Sequence, residues 1–250
     1  MSQYIYQLKA WPTFIWKDEE LILPLSEVRH KQGRLLGKLE GLGFQLREEA
    51  TLETLTQDVI KSSEIEGENL PTDQVRSSIA RRLGIEIAGE ITVNRNVEGV
   101  VDMMLDATQQ YDQPLTDDRL FGWQAALFPT GRSGLNKILL ASWRDDAKGP
   151  MHVVSGAIGK ERIHYQAPEA PRLKREMEKF LNWFNGQAKI DPVLKAAVAH
   201  LWFVTIHPFD DGNGRIARAI ADMQLARADG NRQRFYSMSA QIQRERNQYY

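Results

Sequence analysis

Apolar residues along this chain recur mostly at intervals of three and four. That spacing predicts helices over residues 24–44, 48–66, 72–83, 94–110, 116–127, 170–186, 191–206 and 213–229, hence a mainly α fold. Asp191-Pro192 sets a capping residue and a first-turn proline ahead of Leu194, Ala197, Val198, Leu201 and Thr205, which read as the core-facing stripe of a central helix. Strand-like patterning occurs in one place. Met151-His152-Val153-Val154 and Arg162-Ile163-His164-Tyr165 flank Gly156 and Gly159, which predicts a small β-hairpin. The run from Ser239 to Tyr250 reads as a helix without a C-terminal glycine or cap, an expectation that a C-terminal part is missing. The division expected is a helical N-terminal region, 1–85, ahead of a core, 86–250.

Charge and composition remove several function classes. Thirty-two Lys and Arg balance 33 Asp and Glu, so no global field favours nucleic acid or an anionic membrane. The chain has no Cys, which excludes disulfides, thiolate nucleophiles and zinc–cysteine sites. The aromatic N-terminus, from Met1 to Trp16, lacks a basic stretch followed by an apolar run, and no segment approaches the ~20 apolar residues of a membrane span. These readings lead to the expectation of a cytoplasmic protein that engages neither membrane nor nucleic acid.

Candidate chemistry is concentrated in His207-Pro-Phe-Asp-Asp-Gly-Asn-Gly-Arg-Ile-Ala-Arg218. Pro208 disfavours helical backbone at His207, which leaves the imidazole at the mouth of a turn. Gly212 and Gly214 permit a close backbone approach, so successive N–H groups can converge on an anion at the next helix's N-terminus. Arg215 and Arg218, three apart in its first turns, can clamp phosphate oxygens. Two cations at the positive end of a helix are unfavourable without a negative partner. Asp211 offers a hard oxygen suited to Mg²⁺ that also binds phosphate, and His207 a neutral imidazole for a hydroxyl proton. Taken singly, these residues would fit an ordinary glycine-rich turn with surface arginines; the combination favours a phosphate site.

The segment resembles the Fic-family signature, His-x-Phe-x-Asp/Glu-Gly-Asn-Gly-Arg-x-x-Arg, at every specified position. The resemblance implies a transfer of AMP from ATP to a Ser, Thr or Tyr hydroxyl of a target protein. It makes His207 the general base, Asp211 the Mg²⁺ ligand, and Gly212, Asn213, Gly214, Arg215 and Arg218 the ATP-phosphate site. Related Doc-type kinases carry Lys where Gly214 stands, so Gly214 favours AMP transfer; phosphocholine transfer occurs on the same scaffold and stays open. Residues 151–168 resemble the family's flap, a hairpin that aligns the target and covers the nucleotide, with Ile163, His164 and Tyr165 as its contacts. Tyr249 and Tyr250 stand where relatives place a tyrosine pair near adenine. A nucleotide-binding regulatory module with little turnover is the alternative, disfavoured because binding needs no general base. Homo-oligomerisation is left open.

A second motif lies upstream at Ser62-Ser-Glu-Ile-Glu66-Gly67. Leu52, Leu55, Val59, Ser62 and Glu66 share one helical face, so Glu66 continues a buried stripe up to a glycine suited to a left-handed cap. A carboxylate there needs a cation or water. The segment resembles the Fic inhibitory motif Ser/Thr-x-x-x-Glu-Gly/Asn, in the class whose inhibitory helix precedes the core. That resemblance implies a Glu66–Arg218 pair competing with the γ-phosphate. It also leaves open removal of AMP from modified targets.

Overall fold

Two helices with few exposed residues organise the molecule: α7 (Pro192–Ile206) and α8 (Asn213–Asp229). From Arg215 to Ala226 every residue of α8 is buried, as expected of a helix wrapped on all sides. Helices α2 (Phe44–Ile65), α3 (Thr72–Leu83), α4 (Arg95–Gln109), α5 (Asp117–Leu127) and α6 (Ala170–Asn185) join them around one continuous hydrophobic core. The chain is thus mainly α, as its periodicity predicts. This computed structural model describes residues 3–249 except 88, 90 and 156–161, and omits the side chains of Ser155, Asn247 and Gln248.

The stripe predicted on α7 holds at Val198 and Thr205, which are buried, and is corrected at Ala197 and Leu201. Leu201 is 45% exposed and Ala197 is exposed, whereas Ala196, Ala199, Trp202, Phe203 and Ile206 are buried. Apolar residues surround this helix, so periodicity could not select the core face; Ala197 and Leu201 instead line a cleft. The first two helices also begin earlier than expected. Helix α1 (Asp18–Glu40) carries Pro24 inside it and starts with Asp18, Glu19 and Glu20, acids that suit a first turn. Helix α2 starts right after Gly43 rather than at 48.

The hairpin forms from β3 (His152–Ser155) and β4 (Arg162–Gln166), antiparallel, with its Gly156 and Gly159 outside the described residues. Val153 pairs with Tyr165 and Val154 with Ile163, so His164 is the extra residue of a bulge. A second ladder, β1 (Arg132–Ser133) with β2 (Asn136–Lys137), was not predicted; two-residue strands carry no readable alternation. The C-terminal run is broken at Glu245 into α9 (Met238–Arg244) and α10 (Arg246–Tyr249).

A buried ionic network fastens these layers. Arg234 donates to Asp222 (3.0 Å) on α8 and to Asp229 (3.3 Å), and the Tyr236 hydroxyl donates to Asp229 (2.7 Å). Asp58 of α2 accepts from the Ser237 hydroxyl and, at 3.3 Å, from the Ser239 N–H. Burial, with Asp58 nearby, pushes the Asp222 carboxyl well above its ordinary range.

Candidate active site

The turn between α7 and α8 is shaped by backbone before any side chain acts. His207 caps α7 in the left-handed region (φ 51°, ψ 59°), which a non-glycine residue adopts only at a cost. Gly212 precedes α8 at φ 88°, and a Cβ there would come within 3.0 Å of the Phe128 ring. The Asn213 carboxamide is committed to this turn, accepting from Phe209 N–H (3.0 Å) and donating to Phe209 O (2.8 Å). Its side chain is therefore committed to the shape of the turn, while its N–H is among the first of α8, which lack intrahelical partners.

Arg215 and Arg218 are both buried, and each meets a carboxylate from the end of α2. Arg218 donates to Ser62 Oγ (2.9 Å), Ser62 O (2.8 Å) and Glu66 Oε1 (2.7 Å). The sequence-derived pair is present, with Glu66 at the C-cap of α2 and Gly67 left-handed at φ 81°. Gly214 makes room for it: a Cβ at 214 would lie 2.2 Å from Glu66 Oε1. Arg215 donates to Glu68 Oε2 (2.6 Å) and stacks over Phe128. Sequence reasoning missed Glu68, whose only signal is an acid just past the Gly67 cap.

His207 is half-buried with Nδ1 3.3 Å from Val204 O. A carbonyl only accepts, so this contact puts the proton on Nδ1 and leaves Nε2 with a lone pair. Burial, opposed by the Val204 carbonyl and reinforced by Arg144, lowers its pKa to about 4. Asp211 accepts from Gly212 N–H (2.6 Å) and from the Ser133 hydroxyl. Arg144, also missed, donates to the carbonyl of His207.

A cleft of about 780 Å³ opens beside the turn, lined by His207, Gly214, Arg218 and Glu66 and by the apolar Ala197, Leu201 and Val204. Tyr165 and Val153 reach it from the hairpin, and the Tyr165 hydroxyl donates to Thr205 O (2.6 Å), anchoring the hairpin to α7. Ile163 and His164 are exposed on β4 and do not line the cleft. Tyr249 lines it with its hydroxyl against Nε2 of His200; Tyr250 lies outside the described residues. No helix among the described residues is long and apolar enough to cross a membrane.

Two family profiles match the chain: a domain of unknown function (DUF4172) over residues 4–85 and the Fic/DOC family over residues 114–225. The protein adenylyltransferase fic-1 of Caenorhabditis elegans is 36% identical over 64 residues, 24% of this chain and 13% of that relative. The protein adenylyltransferase Fic of Drosophila virilis is 44% identical over 54 residues, 21% of this chain and 11% of that relative, so both likenesses span a small part of the curated proteins. Among solved structures, a Fic family protein from Desulfovibrio desulfuricans superposes with TM-score 0.63 at 21% identity, covering 96% of this chain and 66% of that one. A Fic domain containing signaling protein from Bacteroides thetaiotaomicron gives TM-score 0.64 at 20% identity, covering 88% and 78%. At such identities these two likenesses concern the fold. The segment that matches the Fic/DOC family, residues 114–225, contains the whole turn from His207 to Arg218, and the fold around it is shared with solved Fic-family structures.

Proposed function

We propose that this chain is a protein adenylyltransferase that moves AMP from ATP to a Ser, Thr or Tyr hydroxyl of a target protein and is restrained by its own Glu66. One observation carries the reading: an internal carboxylate occupies the anion cradle, 2.7 Å from Arg218 and packed against Gly214. Carboxylate and phosphate make the same demand on a guanidinium fork, so Glu66 and a γ-phosphate exclude each other. With Glu66 in place, ATP is held with its α-phosphate misaligned; with Glu66 withdrawn, Arg218 grips the γ-phosphate. Arg215 and the N-terminus of α8 then bind the remaining phosphates.

The target hydroxyl oxygen attacks the α-phosphorus, His207 Nε2 takes its proton, and the bond to the β-phosphate oxygen breaks to release pyrophosphate. The neutral Nδ1–H tautomer supports this role. Asp211 would hold Mg²⁺. A carboxylate beside a phosphate cradle fits an ion that keeps its waters and arrives with ATP, and the described residues contain no cluster of three ligating side chains for a resident metal. Bound there, Mg²⁺ would neutralise charge on the departing phosphates. The target segment is assigned to the edge of the β3–β4 hairpin, where Val154 and Ile163 are exposed.

Intact mass after incubation with ATP and Mg²⁺, for wild type and Glu66→Gly side by side, tests the reading. An AMP-sized adduct, stronger in Glu66→Gly, is expected. A phosphate- or phosphocholine-sized adduct, or ATP binding without any adduct, overturns it.

A further inference from the structure

Resting on that reading, we propose that Arg144 is a positioning residue of the reaction, pinning the turn that carries His207 to the base of the β3–β4 hairpin. Arg144 belongs to the loop between β2 and β3, yet its side chain is 0% exposed. Its Nε donates to His207 O (2.8 Å), and its own backbone N–H donates to Pro208 O (2.9 Å). Both carbonyls of the His207-Pro208 unit therefore end on one residue. One remaining arm reaches the hairpin's exit, a guanidinium nitrogen donating to Pro168 O, and the other donates to Asp146 Oδ1 (2.8 Å) in the loop that leads into the hairpin. Asp146 in turn accepts from Ala170 N–H (2.7 Å) at the start of α6.

The arrangement answers a need created by the turn itself. His207 holds a left-handed backbone, which persists where the surroundings over-determine it, and its carbonyl lies beyond the last helical hydrogen bond of α7. Three acceptors in different directions suit a planar fork with fixed donors; an ammonium on a flexible stem meets them less well. Arg144 does not line the cleft, so it reaches the reaction through the imidazole rather than through ATP. Its other tie makes the hairpin and the imidazole one unit, which keeps the hydroxyl presented by the hairpin in register with the group that receives its proton.

The test uses Arg144→Met and Arg144→Lys in the full chain carrying Glu66→Gly. Steady-state AMP transfer should show kcat reduced on the order of 10²-fold for Met and less for Lys, with KM for ATP within about twofold, since misplacement of a reacting group costs rate rather than binding. Amide hydrogen exchange should quicken at His207 and Phe209 while the amides of α8 keep their protection. Unchanged kcat in a folded variant, or equal losses in kcat and in ATP affinity, would overturn the assignment. If Arg144→Met fails to fold, Arg144→Lys carries both measurements. A Glu66→Gly parent that transfers nothing sinks the adenylyltransferase reading, while exchange confined to 207–209 still decides whether Arg144 pins the turn.

Discussion

On the proposed reading His207 is a general base, which must be neutral to accept a proton, and burial keeps its imidazole neutral by lowering its pKa to about 4. The free enzyme's kcat/KM should accordingly stay flat between about pH 6 and 8, its acid limb falling well below the ordinary histidine value of ~6.5. An acid limb near 6.5 would show an imidazole less buried than this. His207→Ala should lower transfer by about 10²–10⁴ while ATP binding, read by calorimetry, changes little. Glu66 makes the sharper case. Glu66→Gly should raise both transfer and ATP affinity, and Arg218→Ala added to it should abolish the gain, because no ligand for the γ-phosphate remains. A plain structural role predicts the reverse for the single variant: a guanidinium deprived of its carboxylate, a loss of about 3–5 kcal/mol and lower activity.

At the scale of elements, the end of α2 delivers two carboxylates, Glu66 to Arg218 and Glu68 to Arg215. Glu68→Ala alone should raise ATP affinity less than Glu66→Gly, since its side chain is 44% exposed and its pair competes with water; the double variant should exceed either, measured by calorimetry. Equal affinities for Glu66→Gly and the double variant would leave Glu68 a bystander. The sequence announced Glu66 because its position continued the Leu52, Leu55, Val59, Ser62 face; Glu68 lies past the helix, where no period applies. Arg144 was illegible for the same reason, a loop residue two of whose partners are backbone carbonyls 63 and 24 positions away. The signature turn and the hairpin strands were legible because proline, glycine and alternation act locally. The core face of α7 was not, because a helix apolar all round gives pattern no contrast.

For the whole molecule, two histidines contribute to the response to acid. His200 and His207 both have pKa values near 4 through burial, against ~6.5 in an unfolded chain. Between those values the unfolded chain holds more protons, so stability falls as pH drops from about 6.5 to 4, by at most on the order of 3 kcal/mol for each of these half-buried rings. Asp222, raised by burial, pulls the other way, so the test is a difference: His200→Gln should lose less stability than wild type over that range in denaturant titrations. Parallel pH profiles for the two proteins would contradict this. The ties between α2 and α8 also have a temporal meaning. Ser62 holds Arg218 independently of Glu66, and Asp58 joins α2 to the start of α9, so the helix stays bolted down whichever way the Glu66 side chain points. On the proposed reading, release then needs a rotamer change of nanoseconds rather than a helix withdrawal of micro- to milliseconds. Such a restraint equilibrates within every nucleotide encounter, so its setting would follow the prevailing ATP concentration without memory of the past.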